Sequence, residues 1–122
     1  MTSPAEAMAK LDSYASELDE LSKALAETER KLEPAEESYE EWLGDYEAAA
    51  WNESLMGDQK FPPEKLRLRM AHLAMPREIL SAYTTGTAKR KRLEKRIGAV
   101  KALVDAQRSI LSALKEEMAA SR

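Results

Sequence analysis

Apolar residues recur at seven-residue intervals along the first half of the chain. One row of positions is Leu11, Leu18, Leu25, Leu32, Tyr39 and Tyr46, and a second row, three residues later, is Tyr14, Leu21, Thr28, Ala35, Trp42 and Ala49. This is the a/d pattern of a coiled coil, sustained over about five heptads with charged residues between. It predicts a long helix whose narrow apolar stripe needs a partner stripe to cover it.

The composition limits the fold and the chemistry that the chain can support. With 122 residues, 34% of them charged and only 4 glycines, it is typical of a single helical domain over 1–122. The chain has no cysteine, which excludes disulfides and thiolate metal sites. We find neither a signal-peptide pattern nor an apolar run of about 20 residues, so we expect a soluble, cytoplasmic protein with no membrane partner.

The first helix has a clear start and one unusual residue. Ser3 and Glu6 form an S-x-x-E capping box, with Pro4 at the first helical position. We expect this helix to run over about 4–55. Pro34 lies inside it, but the heptads keep their phase across the proline, which indicates a kink or an in-phase break.

Prolines and a glycine divide the remainder of the chain. Residues 57–63 combine Gly and two Pro and predict a loop. A second helix is expected over about 64–84, kinked or restarted at Pro76, and a third over about 88–119. The sequence therefore predicts an all-α fold: an elongated antiparallel helical hairpin with coiled-coil packing, in which a long N-terminal helix meets a return arm broken by Pro and Gly.

Acidic and basic residues are separated along the chain. Residues 1–58 contain 16 acids and 4 bases, a balance of −12, whereas 59–122 contain 6 acids and 15 bases, a balance of +9. Such a division indicates either that the two halves pair with each other or that the basic half meets an anionic partner such as nucleic acid.

The basic residues of the second half are candidate contacts for nucleic acid. With only Phe61 and Tyr83 nearby to stack on bases, we expect mainly electrostatic binding of single-stranded DNA, with weak sequence preference and strong salt dependence. The alternative is ion pairing across the hairpin, in which Lys89–Arg96 would face Glu27 and Glu29. The candidates are Lys60, Lys65, Arg67, Arg69, Lys89, Arg90, Lys91, Arg92, Lys95 and Arg96.

Four of these candidates, Lys89 to Arg92, are consecutive and form a basic run, and its position within a helix affects what it can bind. If a helix began at Thr87, four cations would lie at the positive end of its dipole, each unfavourable by roughly 0.3–1 kcal/mol. Either the helix continues through Gly86, or an anionic group binds at that end.

The apolar stripe of the first helix is a candidate interface. Aromatic residues at helical spacing are usually core, but one broken return arm leaves part of a long stripe uncovered, so we expect a homo-oligomer, either a dimer or a small ring. Without a nucleic-acid role, the aromatic patch and the acidic helix would dock a protein partner, as in a coiled-coil adaptor or assembly protein. The interface candidates are Leu18, Leu21, Leu25, Leu32, Tyr39, Trp42, Tyr46 and Trp51.

The sequence offers little for catalysis. The single histidine, His72, lies in a helical stretch, and a lone helical histidine is more often a surface or partly packed residue than a catalytic base or a metal ligand. The acids of the first helix are not accompanied by the Glu-x-x-His motif of di-iron bundles, and no glycine-rich phosphate loop is present. We therefore expect a non-enzymatic protein with no catalytic residue, metal or cofactor.

Several short segments resemble small all-helical phage proteins of recombination and replication, and in particular the UvsY-like recombination mediators. The segments are Tyr39-x-x-Trp42, Ala48-Ala49-Ala50 with Glu53, the turn from Lys60 to Arg67, and Arg108-Ser109-Ile110. The likeness covers about 35–115, and the acidic first helix departs from it. The resemblance implies a helical protomer that forms a ring, binds single-stranded DNA and helps to load a recombinase. The DNA contacts it implies are Lys60, Lys65, Arg67, Lys89, Arg90, Lys91 and Arg92.

Overall fold

A computed structural model describes residues 3–56 and 62–121, and these form three α-helices. Helix α1 spans Pro4–Met56, α2 spans Glu64–Ala74 and α3 spans Arg77–Ala120. Helix α1 packs against α3 as a hairpin, and no strand occurs in the described ranges. The prediction of an all-α helical hairpin is confirmed.

Helix α1 begins at the predicted cap. The backbone N–H of Glu6 donates to the Ser3 hydroxyl at 3.1 Å, and the Ser3 N–H donates to the Glu6 carboxylate at 3.4 Å. Pro34 lies inside the helix and is exposed, while Leu32 and Tyr39 on either side of it are both buried. The heptad phase therefore continues through the proline, as the sequence predicted, and α1 is one helix.

The return arm breaks at Pro76, where the sequence left open a kink or a restart of the helix. Helix α2 ends at Ala74, the residue Met75 is extended with φ −65° and ψ 137°, and α3 begins at Arg77. A proline disfavours the helical conformation of the residue before it, which explains the extended Met75. The expected second helix over 64–84 is thus corrected to α2, and its last part belongs to α3.

Helix α3 also continues through 84–87, where we expected an interruption. The hydroxyls of Thr84 and Thr87 donate to the carbonyls of Leu80 and Tyr83, one turn earlier, at 2.8 and 2.9 Å. These bonds satisfy the hydroxyl groups within the helix. The third helix therefore starts at Arg77 rather than at about 88.

Contacts group the chain into two compact units. The terminal unit comprises Met1–Glu27 and Arg90–Arg122, and the central unit comprises Thr28–Lys89. In the terminal unit Ala7 and Val100 are fully buried, and Arg96 forms an ion pair with Glu17 at 2.6 Å. Because both side chains of this pair are partly exposed, it contributes only about 0.2–1 kcal/mol. The single domain expected over 1–122 stays a prediction.

Gln107 is a polar residue in the apolar row of α3. It continues the three- and four-residue spacing of Val100, Val104 and Leu111 and is 8% exposed. Its Oε1 atom is buried and has no hydrogen-bond partner among the residues that the structure describes. A buried acceptor of this kind costs roughly 1–3 kcal/mol.

Gln107→Leu is therefore expected to raise the free energy of unfolding by about 1–2 kcal/mol, because it replaces the unsatisfied amide with an apolar side chain of similar size. Urea unfolding followed by circular dichroism measures the change. Gln107→Glu is the matched control and should destabilise the fold at neutral pH, since it buries a charge. A loss of stability in Gln107→Leu would show that the amide has a partner.

Candidate partner-binding surfaces

A cluster of three rings joins the helices of the central unit. Tyr39 comes from α1, His72 from α2 and Tyr83 from α3. The rings of Tyr39 and Tyr83 stack with centroids 3.7 Å apart and planes 7° apart. The Tyr39 hydroxyl lies 2.6 Å from Nε2 of His72, to which it donates when the histidine proton is on Nδ1. This ring cluster fixes α2 against the other two helices.

Burial favours the neutral form of the Tyr39 phenol. Removal from water raises the pKa of Tyr39 above its usual value of 10.0, and the neighbouring Tyr83 adds to the rise. The neutral phenol is therefore available as a hydrogen-bond donor to His72 throughout the physiological pH range. His72 accordingly has a structural role in this cluster, as a half-buried residue that contacts Tyr39.

A basic groove lies between α2 and the start of α3. It has a volume of about 410 Å³ and is lined by Lys65, Leu68, Arg69, His72, Leu73 and Leu80. The five α2 residues follow the spacing of one helical face. Leu68 is 40% exposed and Leu73 is 83% exposed, so the groove combines apolar side chains open to water with two cations.

An acidic groove lies on the α1 side of the same unit. It has a volume of about 260 Å³ and is lined by Ser38, Glu41, Trp42, Asp45 and Ile79. Trp42 is half-buried and stacks on Tyr46 with ring centroids 5.2 Å apart. The four α1 residues again share one helical face.

A third surface is the α3 cluster, which consists of Lys91, Arg92 and Lys95. All three side chains are exposed, and within residues 3–56 and 62–121 none pairs with a carboxylate. Residues three and four apart on a helix are neighbours, so these cations form one positive patch. Because α3 begins at Arg77, the patch lies in the helix interior, and no anion at a helix end is needed to explain it.

The other predicted nucleic-acid contacts are distributed differently. Lys60 lies outside the described residues. Arg67 is half-buried and donates from Nη1 to the carbonyl of Pro62 at 2.8 Å. Arg96 is paired with Glu17. Of the rest, Lys65 and Arg69 are in the basic groove, Lys89 is exposed and Arg90 is half-buried.

The residues predicted as an oligomer or partner interface differ in how far the chain itself covers them. Leu32 is 2% exposed and Tyr39 is 8% exposed, whereas Trp51 is 50% exposed. Use of this stripe by a second copy or another protein stays a prediction. The half-buried members are Leu18, Leu21, Leu25, Trp42 and Tyr46.

The sequence predicted many of the residues on these surfaces, but not which residues of other helices they contact. A chain folded back about residue 60 places Tyr39 opposite about residue 81, close to Tyr83, and this simple geometry is the signal that could have found the stacked pair. The contact of His72 with Tyr39 depends on where α2 packs, for which the sequence offers no periodic signal. The two grooves likewise depend on the packing of separate helices.

Two other kinds of site do not occur in the described part of the chain. None of the helices there is both long and apolar enough to cross a bilayer. Over the same residues, no cluster of three or more His, Cys, Asp or Glu side chains could hold a metal ion.

The fold and these surfaces define an all-α helical-hairpin protein with separate acidic and basic surfaces. No protein-family model, no curated protein and no solved structure matches the chain. The resemblance to UvsY-like mediators therefore rests on the short segments between Tyr39 and Ile110 that carry it and stays a prediction.

Proposed function

We propose that this chain is a non-enzymatic accessory protein that binds single-stranded nucleic acid through the α3 cluster and acts as a homo-oligomer. The observation that supports binding is the exposure of Lys91, Arg92 and Lys95 together on one helix, without a carboxylate partner in the described structure. Cations left available in this way attract phosphates and release counterions when they bind them. The resemblance to recombination mediators favours single-stranded DNA, with a recombinase as the protein partner.

The binding mode follows from what the cluster lacks. No aromatic residue follows Tyr83 in the sequence, so α3 itself offers bases no ring to stack on beside these cations. Binding would be electrostatic and tolerant of sequence. Three phosphate contacts to a single strand would contribute about −2 to the slope of log affinity against log salt.

Fluorescence anisotropy with a labelled single-stranded oligonucleotide, titrated at about 50–200 mM salt, tests the proposal. The variant K91E/R92E/K95E should lower the affinity at low salt by roughly tenfold or more and reduce the salt slope by about 2. The matched control is K101E/R108E/K115E, which reverses three exposed cations of the same helix and changes the net charge equally.

Two results would contradict the proposal. One is a wild-type protein that fails to bind at about 50 mM salt, where electrostatic binding is strong. The other is an equal loss in the control variant, which would show that net charge, rather than the α3 cluster, determines binding.

A second candidate function is a coiled-coil adaptor or assembly protein that docks a protein partner without nucleic acid. The exposed apolar residues of α2 favour it, since Leu66 is 47% exposed and Leu73 is 83% exposed. Apolar side chains left in water on one short helix indicate a protein contact. Absence of DNA binding together with retained self-association would select this function.

A further inference from the structure

The two grooves of the central unit are neighbours. Ile79 lines the acidic groove and the next residue, Leu80, lines the basic groove. Both grooves therefore flank the first turns of α3, with the α1 face on one side and the α2 face on the other.

The grooves are also complementary in charge. The basic groove has Lys65 and Arg69 beside exposed leucines, and the acidic groove has Glu41 and Asp45 beside Trp42. All four charged residues are at the surface, and none forms an ion pair within the part of the chain that the structure describes. One chain thus presents a basic apolar groove and an acidic aromatic groove side by side.

We propose that these grooves form the interface between two copies of this chain. The basic groove of each copy receives the α1 face of the other, which places Lys65 and Arg69 against Glu41 and Asp45 twice, about a twofold axis. A twofold interface uses the same surface of both copies, and neighbouring complementary grooves meet that condition. The inference rests on the proposed function only for the expectation that the chain self-associates.

The apolar residues explain why a second copy fits better than nucleic acid. Leu73 is 83% exposed, and contact with Trp42 of another copy would remove apolar surface of both from water. A phosphate backbone would leave the leucines of the groove uncovered and would meet Glu41 and Asp45 next to it. The charged pairs at the rim set orientation and association rate, while the apolar contact supplies most of the affinity.

Sedimentation velocity over a concentration series, with helical content checked by circular dichroism, tests this interface. The variants K65E/R69E and E41K/D45K should each dimerise roughly tenfold or more weakly than the wild type, because like charges then oppose each other at both contacts. An equimolar mixture of the two should recover a dimer at least as tight as the wild type. Leu73→Asn should weaken the dimer without loss of helical content, since its side chain already lies in water.

The matched control and the contrary outcomes separate this inference from the proposed function. K101E/R108E, which reverses two cations outside the grooves, should leave the dimer unchanged. A wild type that stays monomeric at several hundred micromolar overturns the interface and the self-association together. The interface alone is overturned if K65E/R69E and E41K/D45K both dimerise as tightly as the wild type. It is also overturned if their equimolar mixture does not recover the dimer. If K65E/R69E loses DNA binding but keeps the dimer, the basic groove binds nucleic acid and the inference is wrong.

Discussion

Tyr39→Ala is expected to destabilise the protein by about 3–5 kcal/mol, which is the usual cost of truncating a buried aromatic side chain. The side chain is 8% exposed and is the member of the ring cluster that contacts both partner rings. Its removal would leave a cavity between α1 and α3 and would free His72 from its hydrogen bond. Because domains of this size are stable by only about 5–15 kcal/mol, the loss would be a large fraction of the total.

Tyr39→Phe is the matched variant for this prediction. It keeps the ring that stacks on Tyr83 and removes only the hydroxyl that contacts His72, so a loss of about 1 kcal/mol is expected. Urea unfolding at pH 7, followed by circular dichroism at 222 nm, measures both variants. If Phe costs as much as Ala, the hydrogen bond rather than the stacking stabilises this junction.

The second prediction concerns the contrast between Gly86 and the other glycines of the long helices, which is expected to reach about 2 kcal/mol. A Cβ atom at Gly86 would collide with Cδ1 of Leu32 and lie 3.4 Å from its Cγ. Leu32 is 2% exposed, so it has little room to move aside. Alanine in place of glycine normally gains about 1 kcal/mol in a helix interior, but overpacking costs about 1–3 kcal/mol. Gly86→Ala should therefore destabilise the protein by about 1 kcal/mol.

The other glycines of the long helices are the controls. At Gly44 and Gly98 no atom beyond the adjoining residues and the local helix backbone lies within 4 Å of the position that a Cβ would occupy, so Gly44→Ala and Gly98→Ala should each stabilise by about 0.5–1 kcal/mol. The gap of about 2 kcal/mol between Gly86 and its controls is the quantity to measure by denaturant unfolding.

A double-mutant cycle ties the effect at Gly86 to its cause. Leu32→Ala alone should cost about 2–5 kcal/mol. In that background Gly86→Ala should become neutral or stabilising, because the colliding side chain is gone. Additive losses would mean that Gly86 does not pack against Leu32.

The position of the basic run shows how one helix boundary changes a functional interpretation. A helix starting at Thr87 would have placed cations at its positive end, where an anion would relieve them. Because α3 starts at Arg77, the run lies well inside the helix and needs no anion for that reason. What supports anion binding instead is the exposure of Lys91, Arg92 and Lys95.

The amino-acid sequence by itself determined the elements of this protein that depend on near neighbours in the chain. The heptads predicted α1 and its buried face, from Leu32 through Pro34 to Tyr39, and the box at Ser3 and Glu6 predicted its start. These features were predictable because residues three and four apart share a helical face, whatever lies opposite them.

Only the tertiary structure decided which residues meet across helices. The sequence left open whether Pro76 ends a helix or bends it, and it did not indicate that His72 of α2 contacts Tyr39. It also did not show that the cations of α2 line a groove beside exposed leucines. The physical reason is that helical periodicity specifies a face and a spacing, whereas the partner of each side chain depends on helix register and on how the short α2 packs.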